Sequence, residues 1–188
     1  MQPERQVGRP RKFDYDDVLD RAVTTFWSNG ATATTTRVLE AELGMSQSSL
    51  YQAFGSKEQL VGATIERYEQ RLEAAVLARL DRPSKQSLLD FIDALHMWVS
   101  NDQHRGCLIL NLAAEKSEHQ HHMKRYRIRL REAVSASLAT FLPPGKTDER
   151  TELVIAAAFG LTLAARTGAT TRELKATAAA LSSEIGSW

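Results

Sequence analysis

The stretch Thr34–Leu60, TTTRVLEAELGMSQSSLYQAFGSKEQL, decides the fold of this chain. Apolar residues recur at helical spacing up to Gly44, which ends a short first helix. Ser46 is a favoured N-cap for a second helix, whose Leu50 and Phe54 lie one turn apart on a single apolar face. Two helices joined by a short turn that contains glycine form the helix-turn-helix pattern. The stretch therefore predicts this motif.

The second helix of the motif keeps polar side chains on its remaining faces. In a helix-turn-helix protein this helix enters the DNA major groove with its N-terminal end first. Glutamine pairs with adenine through two hydrogen bonds, serine contacts either base pair, and a tyrosine hydroxyl reaches phosphate. We therefore expect DNA contacts from the polar residues of this helix, which are Gln47, Ser48, Ser49, Tyr51 and Gln52.

The same stretch resembles the DNA-binding domain of TetR-family transcriptional repressors. The segment from Leu50 to Leu60 reads L-Y-Q-A-F-G-S-K-E-Q-L, and it carries the family's leucine–tyrosine pair, an aromatic residue and a lysine–glutamate pair. Thr35-Thr36-Arg37 and Leu43-Gly44-Met45-Ser46 extend the resemblance, which covers about residues 13–66. It implies an N-terminal three-helix DNA-binding domain and a C-terminal helical domain for ligand binding and dimerisation.

Specific DNA contacts follow from the motif and the resemblance together. For base edges we expect Arg37, Gln47, Ser48 and Gln52. For the DNA backbone we expect Thr36, Ser49, Tyr51 and Lys57. Lys57 follows Ser56 at the start of a longer helix, where a cation and a helix N-terminus act together on a phosphate.

Residues 1–12 have no apolar periodicity and hold four basic residues against one acidic residue. Gly8-Arg9-Pro10-Arg11 resembles an AT-hook, an extended segment that places arginine in the narrow minor groove of A·T-rich DNA. We expect Arg9 and Arg11 to contact DNA as a flexible basic arm. A solubilising tail is the alternative interpretation.

Composition limits the other classes of protein. The chain has 188 residues, 43% hydrophobic and 25% charged, a net charge of +1 and one cysteine. It has no apolar run long enough for a membrane span, no apolar signal segment and no intrachain disulfide, so we expect a cytoplasmic protein. It carries no catalytic or phosphate-binding motif, so we expect neither an enzyme nor a cofactor. Strand patterns are absent, and helical periodicity predicts an all-α fold of about nine helices.

The predicted organisation is an arm at 1–12, a helix-turn-helix domain at 13–60 and an effector-binding and dimerisation domain at 61–188. A long helix from Ser56 to about Leu80 would connect the last two. We expect the effector cavity to be mostly apolar and uncharged, with a lining of Phe91, Leu95, Trp98, Cys107, Asn111, Tyr126 and Leu130. Such a wall favours a small apolar effector.

The run G-C-L-x-x-N-x-x-x-E, from Gly106 to Glu115, resembles a subset of the family in which a short central helix borders the ligand cavity. Some members of that subset use the cysteine as a thiol sensor of electrophiles or oxidants. A helix N-terminus lowers the pKa of a thiol, and Cys107 stands at such a position. The alternative is a small buried core residue, which is the commoner role of a free cysteine.

Two C-terminal helices follow Pro143-Pro144-Gly145 and carry apolar stripes at spacing 4, 3, 4. The resemblance implies that these two helices of each subunit form a four-helix dimer interface. The expected interface residues are Leu153, Ala157, Gly160, Ala164, Leu174, Ala178, Leu181 and Ile185. Packing of the stripes within one subunit is the alternative.

These observations predict a ligand-responsive regulator, a repressor by family habit, that binds a palindromic operator as a homodimer. The partners are double-stranded DNA and a small apolar or electrophilic effector. One alternative is a redox or electrophile sensor that acts through Cys107; another is an architectural DNA-binding protein without an effector. His119 and His122 share a helix face, but a third ligand at suitable spacing is lacking, so we expect an exposed helix start and no metal site.

Overall fold

The computed structural model describes residues 13–101, 106–115 and 117–188, and within these ranges every regular element is helical. The all-α prediction is confirmed. The helices are α1 Tyr15–Asn29, α2 Thr36–Leu43, α3 Gln47–Phe54, α4 Lys57–Ala75, α5 Lys85–Ser100, α6 Leu108–Glu115, α7 Gln120–Ala139, α8 Thr147–Arg166 and α9 Thr171–Ser187. Short 3-10 turns lie at Leu77–Leu80 and Ser117–His119.

Side-chain caps set the N-termini of the first four helices. In each case an oxygen atom accepts hydrogen bonds from backbone N–H groups of the first turn, and the capping residues are Asp14, Thr35, Ser46 and Ser56. Gly44 ends α2 in the left-handed conformation, with φ of 65°. The turn of the helix-turn-helix is thereby fixed by local chemistry.

Helix α4 is packed on both parts of the molecule. Leu60, Ile65 and Tyr68 are buried on it at 0–2% exposure, and its contacts include α1 and α6. Arg67 of α4 donates two hydrogen bonds to the carboxylate of Asp20 on α1, at 2.8 and 3.1 Å. The N-terminal three-helix unit (α1–α3) is therefore held to the rest of the chain through α4.

The long helix that the sequence predicts to about Leu80 ends earlier, at Ala75. Val76 leaves α-helical geometry, with φ of −123° and ψ of −58°, and the chain continues as a 3-10 turn. Val76 and Leu80 are buried at 0% and 3% exposure, so the break directs both side chains into the core. Apolar spacing alone does not reveal such a break.

Helices α5 and α7–α9 form a bundle, in which α7 packs on α8 and α5 packs on both α8 and α9. The short helix α6 contacts α7, α1 and α4. Leu108, Ile109 and Leu112 on α6 are buried at 0–1% exposure, which confirms the prediction of a central buried helix.

Candidate nucleic-acid interface and ligand grooves

Helix α3 presents the polar side chains that the sequence predicts for DNA contact. Leu50 and Phe54 are buried at 3% and 8% exposure, which fixes the rotation of the helix. The exposed residues on its other faces are Gln47, Ser48, Tyr51 and Gln52. Arg9 and Arg11, predicted for the minor groove, lie outside the described residues.

Two contacts fix the start of α3. The Ser49 N–H donates to the Ser46 hydroxyl at 3.3 Å, and the two hydroxyl oxygens lie 2.9 Å apart, so half-buried Ser49 belongs to the cap. The Gln47 N–H donates to the Glu40 carboxylate of α2 at 2.8 Å. Sequence reasoning missed Glu40, whose only local signal is an acidic charge close to a helix N-terminus.

Three residues predicted for DNA-backbone contact meet around one small crevice. Thr36, Tyr51 and Lys57 line it from α2, α3 and α4. The Thr36 and Tyr51 hydroxyl oxygens are 3.3 Å apart. Exposed Arg37 follows Thr36 on α2. The fold thus collects hydroxyl donors, cations and the start of α4 beside the exposed face of α3, a set suited to phosphate.

The seven residues predicted to line an effector cavity do not share an open wall. Phe91, Leu95 and Leu130 are packed in the core at 0–2% exposure and offer no open surface in this conformation, so their role in an effector cavity stays a prediction. Trp98 lines an open groove of about 540 Å³ between α4 and α5. Tyr126 lines a cleft of about 100 Å³ between α4 and α7.

The α4–α7 cleft is charged, in contrast to the uncharged wall that the sequence predicts. Arg125 pairs with Glu69 at 2.8 Å, and Arg129 pairs with Glu73. Partial burial raises the pKa of Glu73, although Arg129 opposes this shift. The four charges of the cleft thus satisfy one another across α4 and α7.

A third groove, of about 370 Å³, lies between α6, α7 and α8. Its lining residues are Leu110, Ala113, Ala114, Gln120, Met123, Lys124, Arg127 and Phe159. Five of the eight are apolar, and none of the eight is acidic. Sequence reasoning missed this groove because its members come from three helices and most of them lie outside the buried core.

Cys107 is a buried residue, 6% exposed, directly before α6. Burial raises the pKa of its thiol, and hydrogen bonds from the Leu110 and Ile109 backbone and from the Tyr68 hydroxyl only partly oppose this. The expectation that the helix N-terminus lowers the pKa of Cys107 is therefore wrong, because desolvation outweighs the helix dipole.

Tyr68 lies between the Cys107 thiol and the aromatic rings of Trp27 and Trp98. The Trp98 indole N–H donates to the Tyr68 hydroxyl at 3.1 Å. The Tyr68 ring also meets Trp27 edge-on, with centroids 5.0 Å apart. Burial raises the pKa of Tyr68 well above its usual value, so the phenol stays neutral. The environment of Cys107 is thus a rigid, neutral core.

Glu115, the last residue of α6, contacts the turn between α1 and α2. Its Oε2 accepts a hydrogen bond from the Thr32 N–H at 2.9 Å, across 83 positions of sequence. Gly30, at φ of 77°, lies so close that a Cβ there would be 2.1 Å from Glu115 Oε1. We call this the Glu115 contact; it joins the central helix to the N-terminal three-helix unit.

The two predicted dimer stripes have different surroundings. On α9, Leu174, Ala178 and Ile185 are buried at 0–4% exposure within the subunit and Leu181 is half-buried, so their role in a dimer interface stays a prediction. The α9 stripe packs within the chain, where α9 contacts α5 and α8. Spacing marks an apolar stripe but does not identify the helix that covers it.

The α8 stripe remains on the surface. Leu153 is 43% exposed and Leu163 is 55% exposed. Gly160 is exposed, and Ala157 and Ala164 are half-buried. These five residues form what we call the α8 face, an apolar strip of small and branched side chains.

The histidines at the start of α7 are less exposed than expected. His119 and His122 are each 6% exposed, and burial together with the neighbouring His121 lowers the pKa of His122. Among the described residues, no three potential ligands of the His, Cys, Asp or Glu type are grouped to hold a metal ion. Within the same ranges, no helix combines the length and apolar character needed to cross a bilayer.

Comparison with protein families identifies the N-terminal part of the chain. Residues 18–64, which run from α1 into α4, match the family described as "Bacterial regulatory proteins, tetR family". The HTH-type transcriptional regulator YezE of Bacillus subtilis (strain 168) is 31% identical over 123 residues, which cover 64% of this chain and 63% of that protein. The HTH-type transcriptional repressor ComR of Escherichia coli (strain K12) is 33% identical over 112 residues, covering 57% and 53%. The chain thus matches between about half and two thirds of the length of these curated relatives.

Solved structures share the fold over nearly the whole chain. A cysteine mutant of the TetR family transcriptional regulator CifR, complexed with a 26-bp double-stranded operator DNA, superposes with a TM-score of 0.81 at 23% identity and covers 93% of this chain and 98% of that chain. SCO4454, a TetR-family transcriptional regulator from Streptomyces coelicolor, gives a TM-score of 0.79 at 16% identity, with 91% of each chain covered. These structures show the fold that the chain adopts, the match at residues 18–64 shows a tetR-type N-terminal segment, and the curated relatives YezE and ComR are described as transcriptional regulators.

Proposed function

We propose that this chain, which carries a tetR-type N-terminal domain, is a DNA-binding transcriptional regulator that represses by occupying an operator. The observation that carries the proposal is the exposed polar face of α3 beside the crevice of Thr36, Tyr51 and Lys57. Both lie within the segment that matches the family. ComR, a relative of this chain, is itself described as a repressor.

In this proposal α3 enters the major groove. Its base contacts come from Arg37, Gln47, Ser48 and Gln52, and its backbone contacts come from Thr36, Ser49, Tyr51 and Lys57. Arg9 and Arg11 add minor-groove contacts from the basic arm. The proximity of the Thr36 and Tyr51 hydroxyls supports a shared phosphate site, since either hydroxyl can donate to a phosphate oxygen in place of the other hydroxyl.

The proposed assembly is a homodimer that reads a palindrome. The α8 face supports it: Leu153, Ala157, Gly160 and Ala164 are accessible, and Leu163 adds further exposed apolar surface. Small residues on such a face allow two helices to approach closely. An isologous dimer places two copies of α3 in successive major grooves, which explains why the operator would be palindromic.

Each proposed role belongs to one continuous segment of the chain. The arm is 1–12, the DNA-binding domain is 13–60, and residues 61–188 bind an effector and form the dimer. An effector lowers operator affinity if it binds more tightly to a conformer in which the two α3 helices no longer fit the groove spacing. The loss of operator affinity cannot exceed the difference in effector affinity between that conformer and the DNA-binding one. The Glu115 contact is the physical link by which α6 influences the N-terminal three-helix unit.

Two classes of effector are compatible with the proposed regulator. In the first, a small apolar molecule binds the C-terminal domain without covalent chemistry. In the second, the run from Gly106 to Glu115 belongs to the thiol-sensing subset and an electrophile modifies Cys107. The buried thiol with its raised pKa favours the first form.

Selection of bound sequences from a random double-stranded DNA library tests the proposal. The expected result is enrichment of a palindrome whose half-sites are about one helical turn apart. Binding of the selected operator should fall steeply with salt, because phosphate contacts release counterions. A library that yields no enriched sequence at low salt would contradict sequence-specific regulation, and an enriched non-palindromic site would contradict the dimer.

A further inference from the structure

The groove between α6, α7 and α8 has the size and lining of a ligand site. Its volume of about 370 Å³ lies within the range of about 300–1,000 Å³ typical of small-molecule sites. Its apolar walls are Leu110, Ala113 and Ala114 from α6, Met123 from α7 and Phe159 from α8. Leu110, Met123 and Phe159 are partly buried against the core, so the walls are held in place.

The charged side chains that line the groove have one sign. Its lining includes Lys124 and Arg127 and no carboxylate. Lys124 has no ion-pair partner among the described residues, whereas Arg127 donates to Glu152 at 3.0 Å and stays 56% exposed. In the α4–α7 cleft, by contrast, both lining arginines are paired with glutamates, and its lining holds no further cation like Lys124. The groove therefore complements an apolar body that ends in an anion.

We propose that this groove binds an apolar carboxylate. The tail lies against Leu110, Met123 and Phe159, and the carboxylate receives hydrogen bonds from Lys124 and Arg127. The inference rests on the proposed function, since it names the chemical class of the effector of that regulator.

Binding in the groove reaches the N-terminal three-helix unit through α6. Ala113 and Ala114 line the groove, and the next residue, Glu115, accepts the hydrogen bond from Thr32. At the other end of this segment Gly106 lies against α8, where an added Cβ would be 2.7 Å from the Thr162 carbonyl oxygen. A ligand that displaces α6 therefore changes the Glu115 contact. By linkage, DNA then changes ligand affinity by the same factor.

Isothermal titration calorimetry of the full-length protein with octanoate tests the proposal. Octyltrimethylammonium has the same tail with the opposite charge, and butyrate has the same charge with a short tail. We expect octanoate to bind at one site per chain and the two control compounds to bind at least about tenfold more weakly. Octyltrimethylammonium cannot accept the charge-assisted hydrogen bonds, and butyrate lacks the apolar tail that octanoate buries. Equal binding of octanoate and octyltrimethylammonium would overturn the anionic class.

Two variants locate the site. Lys124→Ala should weaken octanoate binding about tenfold, because it removes one charge-assisted hydrogen bond. Ala114→Phe should abolish binding, since Ala114 is exposed on the groove wall and a phenyl ring there fills the space. The matched controls are Lys146→Ala and Ala74→Phe, exposed positions outside the groove, which should bind as wild type does. Wild-type affinity in both groove variants would overturn the assignment.

Operator binding by the same preparations separates this inference from the proposed function. A protein that binds its selected operator and not octanoate overturns the groove assignment and leaves the regulator intact; a second subunit that covers the groove gives this result. A protein that binds octanoate at Lys124 but selects no DNA supports the site and overturns the regulator. Octanoate binding that weakens operator binding supports both.

Discussion

Replacement of Glu115 by alanine removes the hydrogen bond that joins α6 to the turn between α1 and α2. The Thr32 N–H loses its acceptor, and Gly30 loses the carboxylate that lies against it. Both Thr32 and Glu115 are exposed, so water takes over the lost hydrogen bonds and the backbone N–H is not stranded in the core. Glu115→Ala is therefore expected to weaken the link between α6 and the N-terminal three-helix unit without disrupting the hydrophobic core.

The magnitude follows from that exposure. A hydrogen bond to a charged group contributes about 1.5–3 kcal/mol, and solvent competition at an exposed site lowers this to about 1 kcal/mol. For a domain of this size, a loss of about 1 kcal/mol lowers the Tm by about 2–4 °C. The same free energy corresponds to a rise of about fivefold in the amide hydrogen-exchange rate of Thr32.

Hydrogen exchange at single-residue resolution, read beside thermal unfolding, measures both quantities. Glu115→Gln keeps an acceptor oxygen and should retain most of the protection at Thr32. Glu132→Ala removes an exposed carboxylate of α7 that makes no contact with the N-terminal unit in the described structure, so it is the matched control. If Thr32 exchanges at the wild-type rate in Glu115→Ala, or if Glu132→Ala has the same effect, the argument that Glu115 holds the three-helix unit is refuted.

Three further predictions concern other parts of the molecule. Hydrogen bonds from Arg67 hold the pKa of Asp20 below its usual value, so the Asp20 carboxylate stabilises the fold above about pH 5. This stabilisation is lost as the pH falls through the folded pKa. The free energy of unfolding of Asp20→Asn, measured in urea, should therefore fall less than that of wild type between about pH 5 and pH 3. Leu153→Asp on the exposed α8 face should leave the subunit folded but dissociate the proposed dimer in sedimentation velocity, and an unchanged dimer would exclude that face. Native Cys107 should react with a thiol reagent at pH 7 more slowly than free cysteine and rapidly after unfolding, because burial disfavours its thiolate; native labelling as fast as that of free cysteine would restore the sensor interpretation.

The helix-turn-helix could be predicted from the sequence because its determinants are local. Gly44 ends α2, Ser46 caps α3, and the spacing of Leu50 and Phe54 fixes which side faces the core. Each of these residues acts on a neighbour within a few positions of the chain. Once Leu50 and Phe54 are assigned to the core, the remaining polar side chains of α3 are expected to face solvent.

The contacts of the C-terminal domain could not be predicted in the same way. Apolar spacing identified the α9 stripe of Leu174 and Ile185 but not its partner, which is inside the subunit. A search for cavity residues by apolar character alone selected fully buried residues such as Phe91. The lining of the groove between α6, α7 and α8 instead includes partly buried residues such as Phe159.

The Glu115 contact joins residues 83 positions apart and has no counterpart in any local pattern. Burial of Cys107 is likewise a tertiary property, and it reverses the pKa shift that the position of Cys107 before a helix suggests. Such long-range effects require the fold itself.

Operator binding by a variant with both α3 glutamines replaced tests the central claim most directly. Gln47→Ala combined with Gln52→Ala removes two exposed side chains that have no part in the core, so the fold is retained. Fluorescence anisotropy on the selected operator should show binding at least about tenfold weaker than wild type, since each bidentate base contact contributes about 1–3 kcal/mol. Gln70→Ala, an exposed glutamine of α4, is the control and should bind as wild type does. Wild-type affinity and sequence preference in the double variant would contradict the claim that α3 reads the DNA.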